Sequence, residues 1–513
     1  MTDSNLGSHR APIPHPEGWA RQDTARKGSA DSGPGFSLGA PSGVSTLGLP
    51  GDAEFPQLAV AGDPTRMLEV FRAQLKPARG VGAGDITIEA VMPFRFRCRQ
   101  RKSRCVLEYT LSLADRRSGR RWQQMVTGVL YATAGEAERV WRELAAADPS
   151  RDVPPEWLSF EPVGFVPDLD MLVEVFPYDR KIHQLRRVMS GAGVLYDVEP
   201  LLLERLGRGV DGGGGTWEPE ERAIEPLRYR TELGAALRYT LRARERATGR
   251  RATVRAYLKV YRDGRGEPTW HLLRRLAARA APADPYAVVA PIAYLADLHT
   301  LVLEEAPGKP LLELLLAGRD PAIMRPVARA VAAFNQDDGV PVPREHSRAD
   351  QLAQVRRAAR LVAWACPQVA AEVEALTAAV VDGLPDAAPG PMHRDLKADH
   401  VFLDGDRVVF IDLDSVALGD PVRDAAHLYA YLVGGVGLAA CPEERVRAVA
   451  AAFVDEYFAH VPAAWRVHFP LHCAGALIEV ASGMFRRQEP AWRDRVITAV
   501  ELARRALMEQ ETD

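Results

Sequence analysis

Residues 392–414 read MHRDLKADHVFLDGDRVVFIDLD, and this stretch decides the fold. Its opening, 393–399, is polar and without an apolar period, so it reads as a loop. A short strand over 400–403, a turn at Asp404 and Gly405, and a second strand over 407–413 make a tight hairpin, because Asp-Gly between two apolar runs is a strong hairpin signal. With the turn centred on Gly405, His400 opposes Phe410 and lies diagonal to Asp412 on the same face. Diagonal cross-strand neighbours sit about 7–8 Å apart, near enough to share a bound metal. Closing the hairpin also brings the loop carboxylate Asp395 back beside Asp412. Two carboxylates so placed suit phosphoryl transfer, one orienting a hydroxyl and the other holding magnesium on the phosphates.

Around the hairpin the chain is helical. From Leu311 onward, long segments rich in Ala, Leu and Val (323–334, 348–364, 369–381, 443–458 and 492–508) carry helical spacing. Upstream lies an internal repeat. LEYTLSLADRRSGRR (107–121) aligns with LRYTLRARERATGRR (237–251) at an offset of 130, with eight of 15 positions identical. Each copy alternates apolar and polar residues, turns at Ser-Gly or Thr-Gly, and continues into another strand, 125–131 or 254–261. A helix (136–146, 267–280) and two short strands follow in both copies.

Two interruptions divide the chain. Residues 1–60 hold 9 Gly, 7 Pro and 7 Ser with almost no apolar period, and such a segment is expected to be disordered. The run Gly212 to Gly215 marks a flexible linker over 206–222. The expected organisation is therefore a disordered segment 1–60, a first α+β domain 61–205, the linker, a second small sheet domain 223–308, and a helical domain 309–513.

Hydrophobic residues make up 47% of the chain, enough for sizeable cores, and the net charge of −3 gives no case for nucleic acid as a partner. Five scattered cysteines without metal spacing read as reduced thiols. No stretch approaches the roughly 20 apolar residues of a membrane span, and the start of the chain lacks a secretory core, so a cytoplasmic protein is expected.

His393-Arg394-Asp395, then Ile411 to Asp414, then Gly419-Asp420-Pro421 with Asp424, resemble the catalytic signature of aminoglycoside phosphotransferase-like kinases. The loop wording is similar to protein kinases too. However, Asp412 is followed by Leu-Asp rather than Phe-Gly, and only six residues separate it from Gly419, which leaves no room for an activation segment. The resemblance implies an α+β, bilobal kinase-like fold, a small antiparallel β lobe followed by a helical lobe. Here the first repeat precedes it as a degenerate duplicate of the β lobe. It implies ATP and Mg2+ as cofactors, with Asp395 as catalytic base or hydroxyl-orienting residue and Asp412 as magnesium ligand. Asp414 assists the metal or braces the loop, while Asp420 and Asp424 anchor it. His400 stands where the family has a metal-binding Asn; imidazole is a poorer partner for magnesium, so it contacts phosphate, reaches metal through water, or packs.

In the second sheet, the strand AYLKVY (256–261) resembles the one carrying the phosphate-binding lysine, giving Lys259. The segment 301–308 resembles the hinge that offers backbone groups of Glu304, Glu305 and Ala306 to adenine. The nucleotide loop falls at 228–236 with one glycine, Gly234, and the following helix offers Lys259 only Glu267, at its start. In the first copy Lys259 is replaced by Val129, so that lobe is expected to bind no nucleotide and to dock on the kinase unit or on a second copy in a homodimer. The implied acceptor is a hydroxyl of an aminoglycoside, a sugar or an amino alcohol. The 19 acidic and 13 basic residues of 390–513 lean toward a cationic one. A nucleotide-binding pseudokinase or scaffold, motivated by His400 and the thin glycine loop, and a protein kinase, motivated by Arg394 and Lys397, are the competing readings.

Overall fold

The computed structural model describes residues 48–510 apart from 83, 100–103, 192–193, 208–214, 282, 343 and 439. Two five-stranded antiparallel sheets follow one plan. The first holds β1 (Ile86–Arg99), β2 (Arg104–Asp115), β3 (Arg121–Tyr131), β4 (Val163–Val166) and β5 (Met171–Val175), in the order β1-β2-β3-β5-β4. The second holds β6 (Trp217–Arg230), β7 (Gly234–Glu245) and β8 (Arg251–Tyr261). After β9 (Tyr286–Val288), which joins another sheet, β10 (Pro291–Leu295) and β11 (Thr300–Glu304) complete the order β6-β7-β8-β11-β10. The offset of 130 recurs in the pairing: Leu107 faces Gly128 as Leu237 faces Leu258. In both copies the strand after the third is reached through a helix, Glu136–Ala145 or Gly266–Arg279.

A third sheet joins β12 (Lys309–Pro310), β14 (Val401–Asp404), β15 (Arg407–Phe410) and β9, and a two-stranded ladder pairs β13 (Gly390–Met392) with β16 (Ala417–Gly419). Helices occupy the expected segments: Met324–Asn335, Arg348–Ala365, Ala370–Gly383, Glu443–Phe458 and Trp492–Gln510. Ser347 and Asp350 start the second of these with a reciprocal capping box, which satisfies two backbone donors that the helix itself leaves unpaired.

The first sheet is covered within the chain on both sides. Phe96 packs against Trp364 and Phe485 of the helical domain, with ring centroids 5.8 and 5.4 Å away. On the other side Phe176 meets Tyr229 of β6 at 5.0 Å, and Met125, Ile182 and Leu185 share a core with Leu237, Tyr239 and Leu258. Each such side chain contributes about 1.5–3 kcal/mol by leaving water. The apolar face that made a homodimer an expectation is thus buried against the second sheet and the helices.

Two boundaries differ from the sequence reading. Residues 1–47 of the expected disordered segment lie outside the described residues. From Gly48 the chain packs, with Phe55 and Leu58 buried beside Phe71, because these few apolar side chains find the helical domain's core. The expected linker 206–222 lies partly outside the described residues, and its last part is already strand: β6 begins at Trp217, whose ring is buried. Alternating Glu and Pro hid that strand, yet Arg242, Arg244 and Arg251 across the sheet pair with Glu221, Glu218 and Glu220. No helix among the described residues is long and apolar enough to cross a membrane.

Candidate active site

The hairpin forms one residue out of the expected register. Asp404 pairs with Arg407 around a two-residue turn, so Val401 faces Phe410, and Ile411 N–H donates to the His400 carbonyl at 3.0 Å. His400 nevertheless reaches Asp412, because it closes the 3-10 turn Ala398–His400 and Asp412 leaves the strand with a positive φ of 62°. Its Nε2 lies 3.3 Å from Asp412 Oδ2, and its Nδ1 lies 2.9 Å from the Asp395 carbonyl. A carbonyl only accepts, so Nδ1 carries the proton and Nε2 turns its lone pair toward the carboxylate. That is how a metal-binding imidazole is oriented. One ligand atom each from Asp395, His400 and Asp412 lie within 4.8 Å of one another, and this donor set fits a divalent cation.

Asp424 holds the loop in place. Its carboxylate accepts from the backbone N–H groups of His393 (2.6 Å) and Arg394 (2.8 Å) and from the Asn335 amide (3.1 Å). These bonds stabilise Arg394 at φ 66°, a left-handed turn that aims Asp395 into the cleft. Asp420 accepts from Val422 N–H and pairs with His472 at 2.8 Å.

Lys259 projects from β8 and bridges Asp412 (2.6 Å) and Asp414 (2.5 Å), and the Tyr261 hydroxyl donates to Asp414 at 2.8 Å. Burial pushes the Lys259 ammonium down, but Asp412 and Asp414 outweigh it and hold it well above its usual range. Burial pushes Asp412 up, yet Lys259 and His400 hold it well below the carboxylate range. Asp395 follows the same rule: burial raises it, and Lys397, His400 and His427 lower it further than burial lifts it. His400 is pushed down to about 4 by burial, with Lys397 adding to the shift against Asp412 and Asp399. At neutral pH the site therefore holds ionised carboxylates and a neutral imidazole.

A cavity of about 480 Å³ connects these groups to the hinge, where Val289, Leu303 and Ala306 form an apolar slot beside Glu304 and Glu305. Glu304 pairs with Arg205, and Glu305 accepts from the Tyr257 hydroxyl at 3.3 Å. Glu267 stays exposed near His271, four residues on, and does not reach Lys259. The cavity also has walls the sequence reading missed: Phe94, Arg95 and Met125 of the first sheet.

That sheet also grips the β6–β7 turn, where the nucleotide loop was expected. Glu232 pairs with Arg180 (2.9 Å), Arg104 (2.8 Å) and Arg97 (3.2 Å), and its N–H donates to Asp179 at 2.7 Å. The Thr231 hydroxyl bonds that of Thr127 at 2.6 Å, and both residues are fully buried.

Residues 230–468 match the model of the phosphotransferase enzyme family. This segment, a little under half of the chain, is similar to that family. No curated protein sequence matches the chain. Among solved structures it is similar to an aminoglycoside phosphotransferase from Streptomyces rimosus (19% identity, TM-score 0.33, covering 55% of this chain and 98% of that one). It is also similar to a choline kinase from Cryptosporidium parvum (10%, 0.39, 56% and 89%). A third is an amicoumacin kinase solved in complex with AMP-PNP, Ca2+ and Ami (13%, 0.39, 60% and 95%). The matched segment begins at Arg230, so the whole first sheet lies outside the phosphotransferase model.

Two predictions concern histidines of the phosphotransferase segment. His400→Ala should raise the magnesium concentration needed for nucleotide binding, whereas His400→Asn restores an oxygen ligand and should lower it; equal magnesium titrations in all three proteins would show that His400 only packs. His346, buried near the loop that carries Arg394, is pushed down from 6.5 to about 4 by burial, with Arg394 and Arg423 adding. Below about 6.5 the unfolded chain takes up a proton that the folded chain refuses until about 4, so stability is lost as pH falls through that window. Melting midpoints of His346→Gln measured from pH 7 to 4 should fall less steeply than those of the parent; parallel curves would contradict this.

Proposed function

We propose that the cleft transfers the γ-phosphoryl group of ATP to a hydroxyl of a small molecule, with magnesium as cofactor. The observation behind this reading is the meeting of Lys259 with Asp412 and Asp414, residues 153 and 155 positions apart, beside Asp395 and at the end of an apolar slot. Adenine would lie against Val289, Leu303 and Ala306, with the backbone of Glu304 to Ala306 as hydrogen-bond partners. Lys259 would leave its carboxylates in part for the α- and β-phosphates. Asp412, with Asp414 and His400, would hold magnesium, which supplies charge neutralisation on the phosphates.

The acceptor hydroxyl would bond to Asp395. As its oxygen forms a bond to the γ-phosphorus, the bond to ADP breaks and the proton passes to the Asp395 carboxylate. A carboxylate held this far below its usual range is a weak base, so its chief work is to orient the hydroxyl. The loose transition state of phosphoryl transfer requires little more. A pseudokinase is the second reading, favoured by His400 and by the gripped nucleotide loop. Titration with AMP-PNP, with and without magnesium, is the first test. Magnesium-dependent binding in the parent that weakens at least about tenfold in Asp412→Asn supports the site. Binding indifferent to magnesium and to this substitution would overturn it.

A further inference from the structure

The acceptor end of the cavity is walled by cations. From Asp395 the wall runs through Lys397, whose Nζ lies 3.3 Å from that carboxylate and 5.8 Å from the centre of the Tyr431 ring. Beyond Tyr431 stands Arg487, and opposite it Arg95 reaches in from β1 beside Arg228 of β6; Lys397, Tyr431, Arg487, Arg95 and Arg228 line the cavity. Arg230 and Arg486 lie close enough to act on the same charges. The acids nearby are already engaged. Glu108 holds Arg95 at 3.0 Å and accepts from Thr231 N–H, while Glu489 holds both Arg487 and Arg495. Among the described residues no acid forms an ion pair or hydrogen bond with Arg228 or Arg230, both exposed, although the Arg230 head sits among neighbouring groups and Glu108 and Asp395 act on it through space. The crowding appears in Arg95, Arg230 and Arg486, where burial and neighbouring guanidinium groups all press the proton affinity down.

Like charges gathered in a walled cleft repel one another, and an anion relieves that repulsion while gaining charge-assisted, fork-like hydrogen bonds from guanidinium groups. We infer that the acceptor carries a carboxylate or phosphate besides its hydroxyl, with the anion held by Arg95, Arg228 and Arg230 and the body lying on Phe94, Met125 and Tyr431. This rests on the phosphotransferase reading and narrows it. It turns the acceptor away from aminoglycosides and amino alcohols, because Arg95, Arg228, Lys397 and Arg487 gather at this end of the cleft, whereas the acids that line it, Glu304 and Glu305 at the hinge and Asp399 and Asp412 beside His400, lie elsewhere. The first sheet thereby takes part in acceptor recognition, supplying the wall, Arg95 included, that the second sheet and the helices lack.

The test uses the full chain with its nucleotide site saturated by magnesium and AMP-PNP. Inorganic phosphate is titrated against chloride at equal ionic strength, and the melting midpoint is followed. Glucose 6-phosphate, glucose and glucosamine are then compared as anionic, neutral and cationic hydroxyl compounds. Phosphate should raise the midpoint beyond chloride, the double variant Arg228→Ser with Arg230→Ser should lose that rise, and glucose 6-phosphate should bind at least about tenfold more tightly than the other two. A phosphate response equal to chloride, a response that survives in the double variant, or a preference for glucosamine or glucose would overturn the inference. So would a response seen only without AMP-PNP, which would place these cations on the nucleotide's own phosphates. Failure of the phosphotransferase reading itself would appear separately, as an absence of magnesium-dependent AMP-PNP binding whatever the anions do.

Discussion

Asp395→Asn should leave nucleotide binding nearly intact while lowering turnover by about 10²–10⁴-fold, the range for loss of a positioned general base. The amide keeps the shape of the side chain, and the Asp424 bonds to His393 and Arg394 that fix the loop do not depend on it. What disappears is the negative oxygen proposed to orient the hydroxyl and take up its proton, and with it the pairing to Lys397. Comparison of kcat with the dissociation constant for AMP-PNP separates the two effects. Full turnover in this variant would remove Asp395 from the reaction, and a matching loss of nucleotide affinity would mean that it serves the metal instead.

The second large effect is expected far from the chemistry. Glu232→Ala removes the partner shared by Arg180, Arg104 and Arg97, whose side chains are 6%, 19% and 17% exposed. Breaking a buried pair from one side typically costs about 3–5 kcal/mol, because the remaining charge stays buried without compensation. The loss should appear as a lower melting midpoint and a lower denaturation midpoint. Because strand residues on either side of this turn, Tyr229 and Ala236, line the cleft, magnesium-dependent AMP-PNP affinity should fall as well. Glu232→Gln, which retains hydrogen bonding to the guanidinium groups, should recover part of both. Unchanged stability with unchanged affinity would show that the first sheet does not position this turn.

Much of the candidate site's geometry was legible because its signals are local. The Asp-Gly turn set the hairpin and with it the neighbourhood of Asp395 and Asp412, while Lys259 was singled out by the resemblance of its strand to a lysine-bearing one. The register slipped by one residue because an Asp-Gly pair does not say whether the turn is Asp404-Gly405 or Gly405-Asp406. The Lys259 bridge to Asp414, the Tyr261 hydroxyl and the absence of a Glu267 contact depend on how the two lobes meet, and no periodicity carries that. The grip of Arg97, Arg104 and Arg180 on Glu232 is of the same kind. It joins residues up to 135 positions apart, and no local pattern of the sequence announces it.

Phosphorus NMR of the full chain with ATP and a panel of hydroxylated acids, sugar phosphates, sugars and amino alcohols tests the central claim most directly. The account predicts a phosphomonoester signal that grows with ADP, requires magnesium, is lost in EDTA and is lost in Asp395→Asn. Saturable magnesium–nucleotide binding with no phosphoester formed from any member of the panel would contradict it and leave the chain a pseudokinase.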